Sequence, residues 1–385
     1  MTLRIGILAA EASGDLLGAG LMQGIRERRG DAVFEGVGGE RMRAAGLDSW
    51  VPMERLSVMG LVEVLRHLPG LLRLRRELAR RWLRDPPDLF IGVDAPDFNL
   101  GLEQRLRAAG IPTVHYVSPT VWAWRPGRVK ALRRAVDLLL GIFPFEVEFL
   151  QRHAVPVTYV GHPLAREMPP EPDQAGARAA LGLPPQGPVL ALLPGSRCSE
   201  VQSLSPPFLG AVQRCLAEFP DLAVVVPLVN QRTRDAFERI RGEVAPDLAV
   251  TLAPQGARAA LAAADLVLTA SGTATLEALL SKRPMVVGYK LHWLSYAIAR
   301  LFRLVKVDHV AMANLLAGER LAPEFLQGDC TSERLAPALL ALLRDPQRRA
   351  DIATRYRAIH AAMTLDTNRM AAQAVLDLLD GRAIG

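Results

Sequence analysis

The best candidate for catalytic chemistry is a pair of carboxylates in the stretch GVDAPDFN, residues 92–99. Asp94 directly follows a run of apolar residues, and Asp97 and Asn99 stand on the turn behind it. A carboxylate at the end of a strand can act as a general base towards an alcohol, and its polar neighbours can fix its orientation. The same residue types also build ordinary turns, so a purely structural interpretation stays open.

A second candidate is the loop AEASGD at residues 10–15. A dinucleotide-binding protein would carry G-x-G-x-x-G here, so that a pyrophosphate can approach the backbone. This loop has one glycine and two carboxylates, Glu11 and Asp15, which would repel a pyrophosphate. The groups of this loop, Glu11, Ser13 and Asp15, suit the hydroxyl groups of a sugar instead. Alternatively, Ser13 or Asp15 caps the helix that follows.

A third candidate, the loop LPGSR at residues 193–197, favours an anion. Gly195 permits a tight turn, after which Ser196 and the following backbone N–H groups can face a phosphate. Arg197 adds a charge-assisted hydrogen bond, so the loop is suited to hold a diphosphate leaving group. The alternative is an arginine that is simply paired with Glu200.

A fourth candidate is the stretch SGTATLE at residues 271–277. Ser271, Gly272 and Thr273 stand where a helix is predicted to begin, and the helix dipole there favours an anion. Glu277 falls within that helix, where a carboxylate can accept hydrogen bonds from both ribose hydroxyls. An ordinary capping box is the alternative. Two anion-binding loops in one domain together favour a nucleotide diphosphate.

Aromatic side chains mark two further stretches. Trp122 and Trp124 could form a platform for a sugar face or an acyl chain, or one of them could pack in the core. Residues 289–304 are apolar and basic, with aromatic side chains that prefer interfaces. A membrane contact, a core helix and an oligomer contact are all compatible with this second stretch.

A basic amphipathic helix is predicted over residues 70–83, running on to Arg84. One face carries four apolar side chains and another carries four arginines: Leu71, Leu74, Leu78 and Trp82, and Arg73, Arg76, Arg80 and Arg84. Such a helix either lies on an anionic membrane surface or packs on its own domain with the arginines in solvent.

The elements that must position these residues are short strands alternating with helices, which is typical of βαβ units around parallel sheets. The strands predicted in the first half are residues 3–9, 33–37, 89–93, 113–117, 138–142 and 157–160. Those predicted in the second half are residues 188–193, 222–227, 249–252, 266–269 and 285–288. All four candidate loops then follow the carboxyl ends of strands, where ligands bind in open α/β sheets.

The strand pattern breaks once and then restarts. A proline-rich polar segment at residues 166–176 is predicted to be an interdomain hinge. We therefore expect an α/β protein with two Rossmann-like, doubly wound domains that face a cleft, the first over residues 1–165 and the second over residues 180–345. A length of 385 residues agrees with two domains.

Composition narrows the partners and the compartment. A net charge of +6 favours anionic partners, but aromatic residues make up only 5% of the chain, which argues against a base-stacking nucleic-acid surface. The three cysteines are far apart and form no metal-binding pair, so neither a disulfide framework nor a zinc site is expected. With no predicted signal peptide or transmembrane helix, we expect a cytoplasmic protein that has no metal or other cofactor.

Ten motifs in a fixed order carry a resemblance to a known family. They are EASGD at 11–15, GVGG at 36–39, VMGLVEVL at 58–65, GVDAPDFN at 92–99, HYVSPTVWAWR at 115–125, LLPGSR at 192–197, PLVN at 227–230, SGTATLE at 271–277, PMVVGYK at 284–290 and NLLAG at 314–318. Together they make the sequence resemble the lipid-A-disaccharide synthases over essentially its whole length. None of these motifs is specific by itself.

The resemblance implies a metal-independent glycosyltransferase of GT-B type. The implied reaction joins UDP-2,3-diacylglucosamine to the 6-hydroxyl of 2,3-diacylglucosamine 1-phosphate, giving the β-1,6 lipid A disaccharide 1-phosphate and UDP. By position, Asp94 would be the catalytic base and Arg197 a UDP-phosphate contact. Glu11, Asp97 and Asn314 would line the active site.

The resemblance also implies a place and an assembly. Members of the family act at the cytoplasmic face of the inner membrane of Gram-negative bacteria, which implies a peripheral membrane protein. The C-terminal helices, about residues 350–385, would pack back on the first domain or on the partner chain of a homodimer. The residues alone leave two rival functions open: another UDP-sugar enzyme, such as the peptidoglycan N-acetylglucosaminyltransferase or a UDP-sugar 2-epimerase, and a sugar-binding protein without enzymatic activity.

Overall fold

The chain divides into two compact units in the computed structural model, which describes residues 2–56, 61–119, 128–254, 256–290 and 309–381. The first unit consists of Met1–Pro163 together with Thr364–Gly385, and the second of Leu164–Met363. Each unit is built around one parallel β-sheet, so the expected α/β class is confirmed.

The sheet of the first unit has seven strands in the order β3-β2-β1-β4-β5-β6-β7. The strands are Arg4–Ala9 (β1), Val33–Val37 (β2), Leu47–Ser49 (β3), Leu89–Val93 (β4), Thr113–Tyr116 (β5), Leu138–Gly141 (β6) and Val157–Tyr159 (β7). The central strands are buried along most of their length because helices cover both faces of the sheet, which explains their continuous apolar sequences. The order reverses between β1 and β4, which makes this pair the switch point of the sheet.

The sheet of the second unit has six strands in the order β10-β9-β8-β11-β12-β13. The strands are Val189–Leu193 (β8), Ala223–Val226 (β9), Thr251–Leu252 (β10), Leu266–Ala270 (β11), Met285–Tyr289 (β12) and Glu324–Leu326 (β13). Here the order reverses between β8 and β11. Both units are therefore doubly wound, as the sequence predicts.

Helices of the first unit form a layer on each face of its sheet. They are Ala12–Arg26, Glu40–Ala44, Leu61–Arg84, Pro96–Ala108, Arg128–Ala135, Pro144–Arg152 and Thr367–Leu379, with a 3₁₀ turn at Met53–Arg55. The first and last of these pack together so closely that a Cβ atom on Gly24 would lie 2.7 Å from the carbonyl oxygen of Asn368. The final helix thus completes the first unit of its own chain.

Helices of the second unit also surround its sheet. They are Pro163–Glu167 (whose first residue belongs to the first unit), Gln174–Ala180, Cys198–Leu216, Gln231–Val244, Ala257–Ala263, Thr273–Leu280, Met312–Ala317, Ser332–Arg344 and Pro346–Met363, with a 3₁₀ turn at Gln327–Asp329. Pro346–Met363 lies in this unit and only Thr367–Leu379 in the first, so the C-terminal helices do not act as one block.

The proline-rich segment 166–176 differs from the predicted hinge. It belongs entirely to the second unit, and the chain passes between the units at Pro163–Leu164 and again at Met363–Thr364. The Lys282 ammonium group donates a hydrogen bond of 2.9 Å to the Pro169 carbonyl. Arg357 forms an ion pair with Glu171. Proline-rich composition therefore marks a loop fastened to one domain and not the crossing point.

The basic helix Leu61–Arg84 packs on its own domain. Leu74, Leu78 and Trp82 are buried, and the Trp82 ring lies between Phe90 and Trp50 at centroid distances of 4.8 and 4.9 Å. Its arginine face stays exposed: Arg73, Arg76, Arg80, Arg81 and Arg84. Leu74, Leu78 and Trp82 are thus already covered by protein, whereas these arginines remain available to a partner.

Among the described residues, no helix is both long enough and apolar enough to cross a membrane. The apolar and basic stretch 289–304, for which the sequence leaves a membrane contact open, lies outside the described residues from Leu291 onward.

Candidate active site

Asp94 lies at the switch point of the first sheet. Ala9 of β1 and Val93 of β4 are paired in register, so the loops that follow these two strands begin side by side. A Cβ atom on Gly14 would lie 3.4 Å from the Val93 carbonyl oxygen, which shows how closely the first loop approaches β4. Glu11 and Ser13, both exposed, therefore stand at the same end of the sheet as Asp94.

The turn after β4 is strained. Asp94 and Ala95 have φ values of 52° and 44°, and Val117, at the end of the neighbouring β5, has a φ of 79°. L-residues seldom adopt these values, and each such residue costs about 1–3 kcal/mol, which the surrounding structure must offset. The Asp94 N–H donates to the Tyr116 carbonyl at 2.8 Å, so the strained positions of the two strands are adjacent. Strain of this kind often accompanies a functional site.

Asn99 supports this turn from below. Its side chain is fully buried and donates a hydrogen bond of 2.8 Å to the Asp94 carbonyl oxygen. The sequence predicts a substrate contact for Asn99. In the structure its amide group is bonded to the backbone of the turn and is not exposed at the surface of the site. Asp97, in contrast, is exposed on the first turn of Pro96–Ala108, and its carbonyl accepts a hydrogen bond from Arg75 at 3.4 Å.

A buried polar pair that the sequence reasoning missed lies beneath the same turn. The Nδ1 atom of His115 in β5 lies 2.7 Å from Oε1 of Glu103, and both side chains are fully buried. Burial raises the pKa of Glu103 above its ordinary value, and the neighbouring imidazole opposes that rise. The sequence gives one indication that Glu103 lies near this turn: it follows Asn99 by four residues, which places both on one side of the helix Pro96–Ala108.

Asp15 has a structural role. Its carboxylate is 5% exposed and accepts hydrogen bonds from the N–H groups of Gly39, Arg41 and Met42 at 2.8, 3.0 and 3.0 Å. These groups begin the helix Glu40–Ala44. Asp15 therefore does cap a helix, but not the one in which it stands. Its carboxylate is not available to a sugar, whereas Glu11 and Ser13 are.

The loop after β8 lies at the switch point of the second sheet. Gly195 adopts a φ of 120°, which favours glycine, and Ser196 and Arg197 follow on the exposed surface. The Glu200 carboxylate accepts hydrogen bonds from the N–H groups of Ser196 and Arg197 at 3.0 and 3.2 Å. Arg197 is also paired with Glu200 at 3.4 Å, while its side chain is 71% exposed. The pairing with Glu200 that the sequence offers as the alternative is thus present.

The loop after β11 lies on the other side of this switch point, because Leu193 and Thr269 are paired in register. Gly272, with a φ of 133°, is the N-cap of Thr273–Leu280, and no side chain of the described residues caps that helix. The capping-box interpretation is therefore wrong. Ser271 instead donates a hydrogen bond to the Val310 carbonyl at 3.2 Å.

Glu277 is half-buried within Thr273–Leu280. Burial raises the pKa of its carboxyl group, and Arg258, whose Nε lies 4.0 Å from Oε1 of Glu277, opposes that rise. Arg258 also forms an ion pair with Glu167 at 3.0 Å. Glu277 is thus a partly shielded acceptor near the second anion loop.

Asn314 holds the segment beside this loop in place. The side chain is fully buried, and its amide group donates to the Ala322 carbonyl at 2.8 Å and to Glu324 at 2.9 Å. The amide oxygen accepts from the Ala322 N–H at 2.8 Å. Glu324 in turn accepts from the N–H of Ala311 at 2.8 Å. The sequence prediction that Asn314 lines the active site stays a prediction, since these bonds direct its amide into the protein.

A small cavity of about 180 Å³ opens at the carboxyl ends of β9 and β10. Apolar side chains and one arginine line it: Val226, Leu228, Leu252, Ala253, Pro254 and Arg234. It lies one strand away from β8, on the same end of the sheet as both anion loops.

Trp122, predicted to bind substrate, and Trp124 lie outside the described residues. Among the residues that are described, no group of three or more His, Cys, Asp or Glu side chains could hold a metal ion.

Comparison with known proteins identifies the family. The family model for lipid-A-disaccharide synthetase matches residues 5–378. The chain belongs to the lipid-A-disaccharide synthetase family. It is 52% identical over 380 residues to a lipid-A-disaccharide synthase of Pseudomonas aeruginosa, covering 99% of each chain. It is 51% identical over 381 residues to that of Alkalilimnicola ehrlichii, covering 98% of this chain and 99% of the relative.

Solved structures agree with a GT-B fold for this member of the synthetase family. The Anabaena protein Alr3699/HepE in complex with UDP and glucose aligns with a TM-score of 0.55 at 14% identity, covering 98% of this chain and all of that one. A putative UDP-N-acetylglucosamine 2-epimerase from Listeria monocytogenes aligns with a TM-score of 0.61 at 12% identity, covering 99% and 96%. Such low identities establish the fold alone. Family and fold together show that the chain is a glycosyltransferase of lipid A biosynthesis.

The role of Asp15 predicts a loss of stability. We expect Asp15→Ala to lower the free energy of unfolding by about 2–4 kcal/mol, because buried N–H groups lose a charged acceptor. Urea unfolding measures the change, and Ser13→Ala in the same loop, where the side chain is exposed, is the control. If Asp15→Ala raised the KM for a substrate but left stability unchanged, Asp15 would be a substrate contact and the structural role would be wrong.

Proposed function

We propose that the protein is a lipid-A-disaccharide synthase in the full sense of that reaction. It transfers 2,3-diacylglucosamine from UDP-2,3-diacylglucosamine to the 6-hydroxyl of 2,3-diacylglucosamine 1-phosphate. The products are the β-1,6-linked disaccharide 1-phosphate and UDP. The observation that carries the proposal is the strained turn that presents Asp94 at a sheet switch point, in a chain of this family.

The first domain would bind the acceptor. Asp94 takes the proton of the 6-hydroxyl while that oxygen attacks the anomeric carbon of the donor, and the bond from this carbon to UDP breaks on the opposite face. Attack from the opposite face inverts the configuration at the anomeric carbon. Glu11 and Ser13 are exposed beside Asp94. The Glu11 carboxylate can accept hydrogen bonds from the acceptor's hydroxyl groups, and the Ser13 hydroxyl can accept or donate them. Asp97 would contribute from the exposed turn behind Asp94.

The second domain would bind UDP. The diphosphate contacts Arg197 and the N–H groups of Gly195–Arg197 and Ser271–Thr273, where positive charge and helix termini stabilise the departing anion. Glu277 accepts hydrogen bonds from the ribose hydroxyls. The cavity at the ends of β9 and β10 has apolar walls and a volume suited to a pyrimidine ring. Glu200 must release the backbone N–H groups of Ser196 and Arg197 when the diphosphate arrives.

The proposed setting is the cytoplasmic face of the inner membrane, where both lipid substrates would be reached from the surface. The contact would be electrostatic, because Leu74, Leu78 and Trp82 are buried in their own domain whereas Arg73, Arg76 and Arg80 are exposed. The homodimer implied by the family resemblance remains a prediction.

Incubation with both acylated substrates tests the reaction. We expect UDP and a disaccharide 1-phosphate to form in equal amounts, with little turnover when UDP-N-acetylglucosamine replaces the acylated donor. Quantifying UDP by a coupled assay and the lipid product by mass spectrometry checks both. UDP-sugar epimerisation without UDP release would indicate an epimerase, and UDP binding without any product would indicate a binding protein. Either result would overturn the proposed function.

Two substitutions test the assigned roles. We expect Asp94→Asn and Arg197→Ala each to lower kcat by roughly 10²–10³-fold, since one removes the general base and the other a charge that stabilises the leaving group. Asp31→Asn and Arg214→Ala, exposed residues of the same two units, are matched controls that keep near-normal turnover. Normal turnover of a folded Asp94→Asn protein would remove Asp94 from the role of base.

The membrane contact has its own measurement. Changing Arg73, Arg76 and Arg80 together to serine is expected to weaken binding to vesicles containing phosphatidylglycerol by roughly 100-fold at low salt, at about 1 kcal/mol for each arginine. The control removes the same charge from exposed positions of the second unit: Arg232, Arg239 and Arg348. Equal weakening by both sets would show that net charge, and not this helix, governs binding.

A further inference from the structure

The buried pair of Glu103 and His115 takes no direct part in the proposed reaction. Both side chains are fully buried, and within the described part of the chain their polar contact is with each other, at 2.7 Å. Oε2 of Glu103 and Nε2 of His115 have no hydrogen-bond partner among the described residues. Two ionisable groups in this condition are expensive to bury, and apolar side chains of similar size would often give equal or greater stability.

The pair is built into the strand that ends at Asp94. Gly92 of β4 is paired in register with His115 of β5. A Cβ atom on Gly92 would lie 2.1 Å from Oε1 of Glu103, so the carboxyl group occupies the space beside this glycine. Only a residue without a side chain fits there. Glu103 and His115 thus fix the spacing between β4, β5 and the helix Pro96–Ala108.

Asn99 connects the pair to the turn. It stands one helical turn before Glu103, and its Cβ atom would lie 3.0 Å from a Cβ atom on Gly92. Its amide group donates to the Asp94 carbonyl oxygen at 2.8 Å. The two residues of the strained turn, Asp94 and Ala95, are therefore held by a helix whose position the buried pair determines.

We propose that Glu103, His115 and Asn99 are positioning residues for Asp94. The pair holds the helix Pro96–Ala108 against β4 and β5, and Asn99 transmits this hold to the Asp94 carbonyl. The carboxylate of Asp94 is thereby kept in the orientation that proton abstraction needs. This inference rests on the proposed function, in which Asp94 is the base.

Kinetics of Glu103 variants test the inference with both acylated glucosamine substrates. Glu103→Leu is expected to lower kcat by about 10–100-fold with KM values within about twofold, because a small displacement of a catalytic group affects the reaction more than binding. Glu103→Gln, which can still hydrogen-bond to Nδ1 of His115, is expected to restore kcat to within about fivefold of the wild type. Failure of glutamine to restore activity to a folded protein would overturn the hydrogen-bonded positioning role.

A matched control separates positioning from stability. Thr113 is fully buried in the same strand as His115 and donates to the Ala135 carbonyl at 2.7 Å, at the opposite end of the strand. Thr113→Val is expected to lower the melting temperature but not kcat. If Thr113→Val and Glu103→Leu lowered kcat equally, the pair would have a structural role only.

A double-mutant cycle decides whether the pair acts through Asp94. In an Asp94→Asn background, Glu103→Leu is expected to lower the residual kcat by less than about twofold, since there is no base left to position. An undiminished loss in that background would overturn the inference and leave the proposed function intact. Normal turnover of Asp94→Asn alone would instead refute the role of the base. If Glu103→Leu does not fold, Asn99→Ala, which removes the contacts with the Asp94 and Val93 carbonyl oxygens, is expected to give the same kinetic results.

Discussion

Parallel pairing of strands that are not consecutive in sequence is the constraint on which both candidate sites depend. β1 pairs with β4 in the first sheet, and β8 pairs with β11 in the second. At each of these positions the chain leaves neighbouring strands towards opposite faces of the sheet, so the loops part and a crevice forms between them. The sequence places chemically active residues in these loops and nearly continuous apolar residues in the strands that hold them.

The two crevices differ in their electrostatics. The first presents Glu11 and Asp94, and the buried carboxylate of Asp15 already holds the N–H groups of Gly39, Arg41 and Met42. The carboxylates there repel a phosphate, whereas a hydroxyl group finds acceptors. The second presents Arg197 and two loops that lead into helix N-termini. This division agrees with an acceptor alcohol in one domain and a leaving diphosphate in the other.

Much of the fold follows from the sequence because strands buried on both faces must be continuously apolar. All eleven predicted strands are present, with ends that differ by at most two residues. The two that were missed, β3 and β13, have three residues each, include polar ones, and lie at sheet edges. The loops of the candidate site could be located from the sequence because they follow predicted strands. The partners of Asp15, 24 to 27 residues away, and the pairing of Glu103 with His115 depend on packing that no local pattern encodes.

Asp15 and Glu200 show why one carboxylate is structural while the other can take part in ligand exchange. Both accept hydrogen bonds from backbone N–H groups at the start of a helix. Asp15 is buried, so an incoming anion cannot reach the N–H groups that it holds. Glu200 holds its N–H groups beside exposed residues, Ser196 and Arg197, where a phosphate oxygen can replace it. In the proposed exchange these N–H groups keep an acceptor in both states. In the proposed function one anion replaces another at these N–H groups, so the net attraction for the diphosphate would come mainly from Arg197 and from the loop after β11.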